Sequence, residues 1–280
     1  MQRYMVTNKE LKLDDTDINH IINVMRMKQN DKFQIVYDNV LYTCNITNIE
    51  KRKVDYEIIK KEEIKSNKTH KVIIACSLIK EQKMDFLLQK ATELGVDEII
   101  PIISERTVVK IDKKNTNKIS RWIKICKEAS EQSHRMNIPK IHEIINLKWL
   151  SDVKANAKIV CNTNEMSKNI KKVLQDVKKS DTMIIVVGPE GGFSDNEINY
   201  LLENGFISTT LGENILRAET VPLYILSVIN YEFLRWIYDK GHIKLFFKFK
   251  YGRTSIICSR SIVNNNIYCS FNNCIKTRKK

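Results

Sequence analysis

At 280 residues, with 42% apolar and 29% charged side chains, the chain has the make-up of an ordinary globular protein of one large or two smaller domains. Its first ten residues hold no apolar core, and its best apolar run, Val221–Ile229, falls short of the roughly 18 residues of a membrane span, so a cytoplasmic protein with no membrane partner is expected. The net charge of +14 points toward nucleic acid, but ten Lys/Arg against one acid from Asp239 onward carry most of it, leaving residues 1–238 only mildly basic.

Residues 1–68 form a small β-rich unit. Between Asp17 and Met27 the apolar residues Ile18, Ile21, Ile22 and Met25 fall at helical spacing. Phe33–Tyr37, Leu41–Ile46 and Val54–Ile58 then read as short strands separated by an Asp-Asn or charged turn. The charged, apolar-poor stretch Lys60–Thr69 reads as a linker. Beyond it, strands and helices alternate. Val72–Cys76 is an uninterrupted apolar strand of the kind covered on both faces. Met84, Leu87, Leu88, Ala91 and Leu94 make one helical face, and Gly95 is placed to end that helix. Glu98–Ile103 is the next strand, followed by a helical stripe at Ile119, Trp122, Ile123, Cys126 and Ala129. Ala157–Cys161, Thr182–Val187 and Ser208–Leu211 are further strands. Ser194-Asp-Asn-Glu197 is a capping box for a helix that Gly205 closes. The alternation defines an α/β domain over 69–238.

A last helix, Thr220 to about Trp236, starts with Pro222 in its first turn and is apolar almost all round, which requires burial on more than one side, in a core or in a dimer interface. From 239 to 280 the sequence turns basic, aromatic and Asn-rich, a tail of uncertain status. The seven cysteines (44, 76, 126, 161, 258, 269, 274) include no Cys-x-x-Cys pair and sit mostly in apolar runs, which favours reduced thiols over disulfides or a metal site.

Chemistry concentrates in two loops. Met183-Ile-Ile-Val-Val-Gly-Pro-Glu-Gly-Gly-Phe193 is a buried strand breaking into a Gly-rich turn, and Leu211-Gly-Glu-Asn-Ile-Leu-Arg-Ala-Glu-Thr220 carries one Arg and two Glu into the last helix. Gly-containing loops at strand ends are where an α/β domain builds a small-molecule pocket. The turn lacks the Gly-Lys-Ser/Thr of a phosphate-binding P-loop and the Gly-x-Gly-x-x-Gly of a dinucleotide site, and by itself it also fits a tight turn with no ligand.

Both loops resemble the signature loops of the RsmE-type ribosomal RNA methyltransferases of the SPOUT superfamily. Lys83-Met-Asp-Phe-Leu-Leu-Gln-Lys-Ala-Thr-Glu-Leu-Gly-Val96, Pro101-Ile-Ile-Ser-Glu-Arg-Thr107 and Glu128-Ala-Ser-Glu-Gln-Ser-His-Arg135 resemble the same family in register, over roughly residues 1–238. The resemblance implies a SPOUT trefoil-knot domain behind a PUA-like N-terminal domain, a homodimer paired at the knot, and S-adenosylmethionine as methyl donor. It implies methylation at N3 of a uridine in 16S ribosomal RNA, with no metal. Cys161, Asn162, Thr163, Gly188, Pro189, Gly191, Gly192, Leu211, Gly212, Ile215 and Leu216 would line the cofactor pocket.

Arg217 is the first candidate for catalysis, through charge stabilisation on the uracil oxygens or a grip on phosphate, against a plain salt bridge to Glu213 or Glu219. Glu219 and Glu190 are candidate bases or orienting groups. Basic candidates for RNA are Arg3, Arg26, Lys28, Arg106, Lys110, Arg121 and Arg135; Arg26, Arg106 and Arg135 fall within family motifs. Asn214 departs from the pattern, since relatives often carry a basic residue there, and that puts the loop's phosphate grip in doubt. Two alternatives stand beside this reading: a SPOUT methyltransferase with another RNA target, and a non-catalytic RNA-binding ribosome-assembly factor.

Overall fold

The computed structural model describes residues 1–64, 68, 70–109, 115–178, 181–239, 245–251, 254–263 and 266–270, with side chains described through Phe233 except at 115–117. The chain divides into two compact units, Met1–Ser227 and Val228–Lys280.

The first unit opens with a four-stranded sheet ordered β1 (Arg3–Met5), β2 (Lys32–Tyr37), β3 (Val40–Glu50), β4 (Lys53–Glu63). β1 runs parallel to β2 and the other pairs are antiparallel. The β2–β3 hairpin closes on Asp38 and Asn39, both at positive φ (47° and 60°), the backbone of a two-residue type I′ turn that Asn and Asp tolerate best after Gly. The helical spacing after Asp17 is realised as two short pieces. α1 (Asp15–Asn19) is capped by the Asp14/Asp17 capping box, and a π-helical turn follows over His20–Val24. Tyr4, Phe33, Ile21, Ile35 and Ile46 are fully buried in this domain, with Phe33 edge-on to both Tyr4 and Tyr56. The expected linker begins later than the charge pattern indicates, because Lys60–Glu63 continue β4 opposite Val40–Thr43. β4 is an edge strand with an exposed face, where charged side chains cost little and block further pairing. Residues 65–67 and 69 of that stretch lie outside the described residues.

A seven-stranded sheet follows: β5 (Lys71–Ser77), β6 (Glu98–Ile103), β7 (Lys140–Ile141), β8 (Ile145–Asn146), β9 (Ala157–Cys161), β10 (Thr182–Val187) and β11 (Ile207–Thr209). The spatial order is β11-β9-β10-β5-β6-β7, with β8 also on β6, and every pairing is parallel. The expected α/β domain is borne out. Ile73, Ala75, Ile100, Ile102, Val160, Ile184 and Val186 pack into one core with Leu201 and Phe206. Their alternates Ile74, Cys76 and Ile185 are buried too, so both faces are covered, as a parallel sheet requires. Pro101 is tolerated inside β6 because the neighbouring strand is interrupted there: β7 pairs Glu98 and Ile99, β8 pairs Ile102 and Ile103, and no ladder partner on that side needs the missing N–H. β7, β8 and the 3₁₀ turn Leu147–Asp152 carried no periodic signal.

The helices are α2 (Glu81–Glu93), α3 (Asn115–Gln132), α4 (Ile170–Gln175), α5 (Asp195–Glu203) and α6 (Val221–Asp239). Gly95 and Gly205 leave their helices at φ +89° and +82°, and Ser194 and Glu197 form the expected capping box. On α6, Val221, Ile225, Leu226, Ile229 and Phe233 are buried while Tyr224 and Tyr231 are exposed, so the helix has one face already covered within the chain. The second unit ends in a three-stranded antiparallel sheet, β12 (Leu245–Tyr251), β13 (Thr254–Val263) and β14 (Asn266–Ser270), where sequence patterns gave no strands. Asn264, Asn265 and residues 271–280 of the Asn-rich tail lie outside the described residues. Among the described residues, no helix is long and apolar enough to cross a membrane.

The N-terminal sheet docks on α3 and the segment after it. Met5, Val36 and Leu41 pack with Met136 and Ile138, and the Met5 amide donates to Glu131 Oε1 at 2.8 Å. Lys127 reaches across to Asp14 (2.7 Å) and Asp17 (2.8 Å).

Candidate active site

β9, β10 and β11 end side by side, and the segments leaving their C-terminal ends enclose a cleft of about 670 Å³. That is the edge at which parallel α/β sheets hold ligands, and the volume suits a cofactor-sized molecule.

The first wall is built from the end of β10. The chain breaks at Gly188, where a Cβ would stand 3.3 Å from the Phe193 ring, and turns through Pro189–Gly192, closed by the Gly192 amide on the Pro189 carbonyl at 2.9 Å. Gly192 takes φ +68°, a conformation that disfavours a side chain. The capping-box residue Glu197 also accepts from the Glu105 amide at 2.8 Å, which ties the Ser104–Thr107 turn to α5. Arg106 in that turn lays its stem over Gly191 and donates to the Gly191 carbonyl at 2.9 Å.

The second wall is Thr209–Ala218. The Asn162 amide bonds the Thr209 carbonyl (3.0 Å) and the Thr210 amide bonds the Lys168 carbonyl (2.9 Å), which holds the β9 and β11 exits together. The Arg217 carbonyl accepts from the Thr220 and Val221 amides (2.8 and 3.1 Å), so the loop is anchored to the start of α6. All eleven residues expected at the cofactor line this cleft: Cys161, Asn162, Thr163, Gly188, Pro189, Gly191, Gly192, Leu211, Gly212, Ile215 and Leu216. Asn214 lines it as well and is exposed. Cys161 has its thiol pushed up to about 12 by burial, which keeps it protonated and chemically quiet.

Of the catalytic candidates, Arg217 and Glu190 line the cleft. Arg217 is exposed and, among the described residues, forms neither the ion pair to Glu213 nor the one to Glu219 that would explain it structurally. Glu190 and Glu219 converge instead on Lys83, at 3.0 and 3.6 Å from its ammonium. At Glu190 burial opposes ionisation, but its own backbone amide and the Lys83 ammonium outweigh that, and the carboxyl sits below the usual Glu range. Lys83 opens one of the motifs and lines the cleft, yet residue type alone gave no reason to single it out. Its signal is its position in the first turn after β5, the strand next to β10.

The arginines and lysines expected at RNA separate by burial. Arg26, at φ +51° beyond the π turn, and Arg106 on the cleft rim are exposed, as is Lys28. Arg3 is buried, with its guanidinium on the His134 carbonyl, the Arg135 carbonyl (3.4 Å) and Gln34 (3.2 Å). Arg135 donates to the Thr92 and Val96 carbonyls, each at 2.7 Å, around the end of α2. Arg3 thus ties the N-terminal sheet to the segment after α3, and Arg135 ties that segment to the end of α2. Arg121 is paired to Glu81 and Asp85, and Lys110 lies outside the described residues. Among the described residues no group of His, Cys, Asp and Glu is arranged to hold a metal.

A parallel α/β domain with a Gly-walled cleft at its carboxyl edge, joined to a small β domain, defines a two-domain ligand-binding α/β protein. A family model described as RNA methyltransferase domain matches residues 65–230, and one described as RNA methyltransferase PUA domain matches residues 13–59. A ribosomal RNA small subunit methyltransferase E from Bacillus subtilis is 34% identical over 250 residues, 83% of this chain and 97% of the relative. The same-named protein from Mesomycoplasma hyopneumoniae is 35% identical over 230 residues, 81% of this chain and 98% of the relative. Among solved structures, a methyltransferase from Legionella pneumophila in complex with the cofactor SAM superposes with TM-score 0.76 at 30% identity, covering 82% of this chain and 97% of that one. Ribosomal RNA small subunit methyltransferase E from Neisseria gonorrhoeae, bound to S-adenosyl methionine, superposes with TM-score 0.73 at 29% identity, covering 83% and 98%. The chain belongs to the ribosomal RNA small subunit methyltransferase E family, as the motifs implied.

Proposed function

We propose that the protein transfers a methyl group from S-adenosylmethionine to N3 of a uridine in 16S ribosomal RNA, working in the cytoplasm as a homodimer. The observation that carries the reading is the convergence of two separate motif loops, with all eleven expected cofactor residues, on one cleft in a chain of this family. The cleft suits the donor: its walls offer main-chain groups at Gly188–Gly192 and Leu211–Leu216, with glycines where a Cβ would crowd Phe193 or Arg106. When bound, S-adenosylmethionine supplies a methyl group already activated by its sulfonium.

The chain's own work is orientation and charge stabilisation. Arg217, a lining arginine that no carboxylate engages among the described residues, would face the negative charge that grows on the uracil oxygens as the imide proton leaves. Glu190 is poorly suited as a base, because a carboxylate held below its usual pKa binds a proton weakly. Glu190 and Glu219 act better as partners of Lys83. Arg26 and Arg106 are the arginines open to RNA. We take residues 1–68 as the PUA-like RNA-reading domain and 69–238 as the methyltransferase domain with the trefoil knot of the SPOUT enzymes. The exposed Tyr224 and Tyr231 mark the face of α6 that pairs with a second copy.

The test is methylation of small ribosomal subunits, taken from cells lacking the gene, by the purified protein and labelled donor, read by mass spectrometry of 16S RNA digests. N3-methyluridine formed only with protein and donor is the expected result. Methylation elsewhere would indicate another RNA target, and binding without transfer would indicate a non-catalytic assembly factor.

A further inference from the structure

The two cleft walls come from segments about 25 residues apart in sequence, and each leads to one carboxylate that reaches the same ammonium. Glu190 belongs to the Gly-rich turn and Glu219 to the loop before α6. A single cation stands between them: the Lys83 ammonium lies 3.0 Å from Glu190 Oε1 and 3.6 Å from Glu219 Oε2. Glu219 Oε2 is inaccessible to water and has no hydrogen-bond partner. Among the described residues, the cation paired with it is Lys83. Such a buried carboxylate is costly unless a cation stays close.

The platform that presents Lys83 is rigid. Lys83 sits in the first turn of α2, whose Met84, Leu87 and Leu88 are fully buried. That helix leaves β5, which pairs with β10 in register from Lys71–Thr182 to Cys76–Val187, so the first turn of α2 and the Gly-rich turn emerge side by side. Lys83 is therefore held by the sheet, whereas each carboxylate sits on a loop.

We infer that Lys83 is a positioning residue that clamps the two loops of the cleft in register through Glu190 and Glu219, presetting the cleft for its ligand. The inference rests on reading the cleft as the methyl-donor site. Without the ammonium, two carboxylates would face one point with nothing between them, and the loops would separate. The pair to Glu190 raises the Lys83 pKa, so the clamp keeps its charge through the neutral range. Lys80 also acts on Glu190 through space, more weakly than Lys83.

The test uses the full chain and the variants Lys83→Met, Lys83→Arg, Glu219→Gln and Lys83→Met/Glu219→Gln. Calorimetry with S-adenosylmethionine should show Lys83→Met binding about tenfold or more weakly, the size of one lost charge-assisted contact. Lys83→Arg should restore most of the affinity, and so should Lys83→Met/Glu219→Gln, because the uncompensated charge is then gone. The loss should appear in KM for the donor and not in kcat. Affinity within twofold of wild type, or a deficit that neither the Arg nor the double variant relieves, would overturn the clamp. If the wild-type protein binds no donor, the cofactor reading fails, and melting of the ligand-free protein decides separately. A melting temperature lowered in Lys83→Met and restored in the double variant upholds the clamp, and equal melting temperatures refute it.

Discussion

Lys127→Met should loosen the docking of the N-terminal domain, with a pH signature that identifies the cause. Lys127 is largely buried and holds Asp14 and Asp17 at 2.7 and 2.8 Å, with Glu131 at 3.7 Å. Asp17 and Glu131 are buried acids, and burial pushes both carboxyls up, Glu131 to about 7; Lys127 pulls them back. Removing one partner of a buried ion pair costs about 3–5 kcal/mol. Asp14 is open to water and the buried acids can take up protons, so the expected loss is nearer 2–3 kcal/mol at pH 8, a fall in melting temperature of roughly 4–12 °C.

The direction with pH follows from linkage. A carboxyl whose folded pKa exceeds its unfolded value favours the folded state below the unfolded pKa, and that contribution is lost as pH rises through the folded one, here about 7 for Glu131. Without Lys127 the folded values climb further. The deficit of Lys127→Met should therefore be largest at pH 8 and shrink toward pH 5. Glu131→Gln keeps an acceptor for the Met5 amide and should flatten the same profile. Urea unfolding at the two pH values measures this. A loss below about 0.5 kcal/mol, or one equal at both pH values, would refute an electrostatic latch. In function, Lys127→Met should weaken RNA binding and spare donor binding.

Gly191→Val should weaken donor binding at least about tenfold, because a Cβ at 191 already meets the Arg106 stem at 3.4 Å and a branched side chain would displace it from the Gly191 carbonyl; undiminished calorimetric affinity in a folded variant would move the site elsewhere. Arg217→Ala should retain donor binding while methyl transfer at saturating RNA falls about a hundredfold or more, as for loss of one oxyanion donor; near wild-type turnover would strike it from the catalytic groups. Tyr224→Glu with Tyr231→Glu should give monomers in sedimentation, whereas charges at Ile225 or Ile229 would damage the chain's own core, since both are fully buried; a wild-type protein already monomeric at micromolar concentration would end the α6 interface.

The α/β body was legible because its signals are local. Val72–Cys76 and Thr182–Val187 are unbroken apolar runs, and Ser194/Glu197, Gly95 and Gly205 punctuate helices through short-range geometry. The cleft was legible because its walls are two contiguous motifs. What escaped depends on tertiary pairing. β7 and β8 are two residues each and exist only as ladders on β6. Lys60–Glu63 look like a linker by charge and become strand because Val40–Thr43 lie opposite. Lys83 looks like any surface lysine until β5 and β10 pair.

The arginines show the same limit most sharply. Arg3, Arg26, Arg106 and Arg135 are alike as residues, and membership of a motif does not say what a guanidinium will meet. Five fixed donors serve a phosphate or a cluster of main-chain carbonyls equally well. Arg3 stands where the N-terminal sheet meets the end of α3 and Arg135 where that end passes the end of α2, and there the carbonyls of His134, Thr92 and Val96 claim them. Arg106 is divided, with one donor on the Gly191 carbonyl and the rest of the side chain open at the cleft rim. Substituting Arg3 or Arg135 should therefore lower stability first and RNA affinity only through it, whereas substituting Arg26 should lower RNA affinity and its salt dependence at unchanged melting temperature. Filter binding over a salt series, paired with thermal melts, separates the two, and an Arg135→Ala variant with full stability and weakened RNA binding would return that residue to the RNA surface.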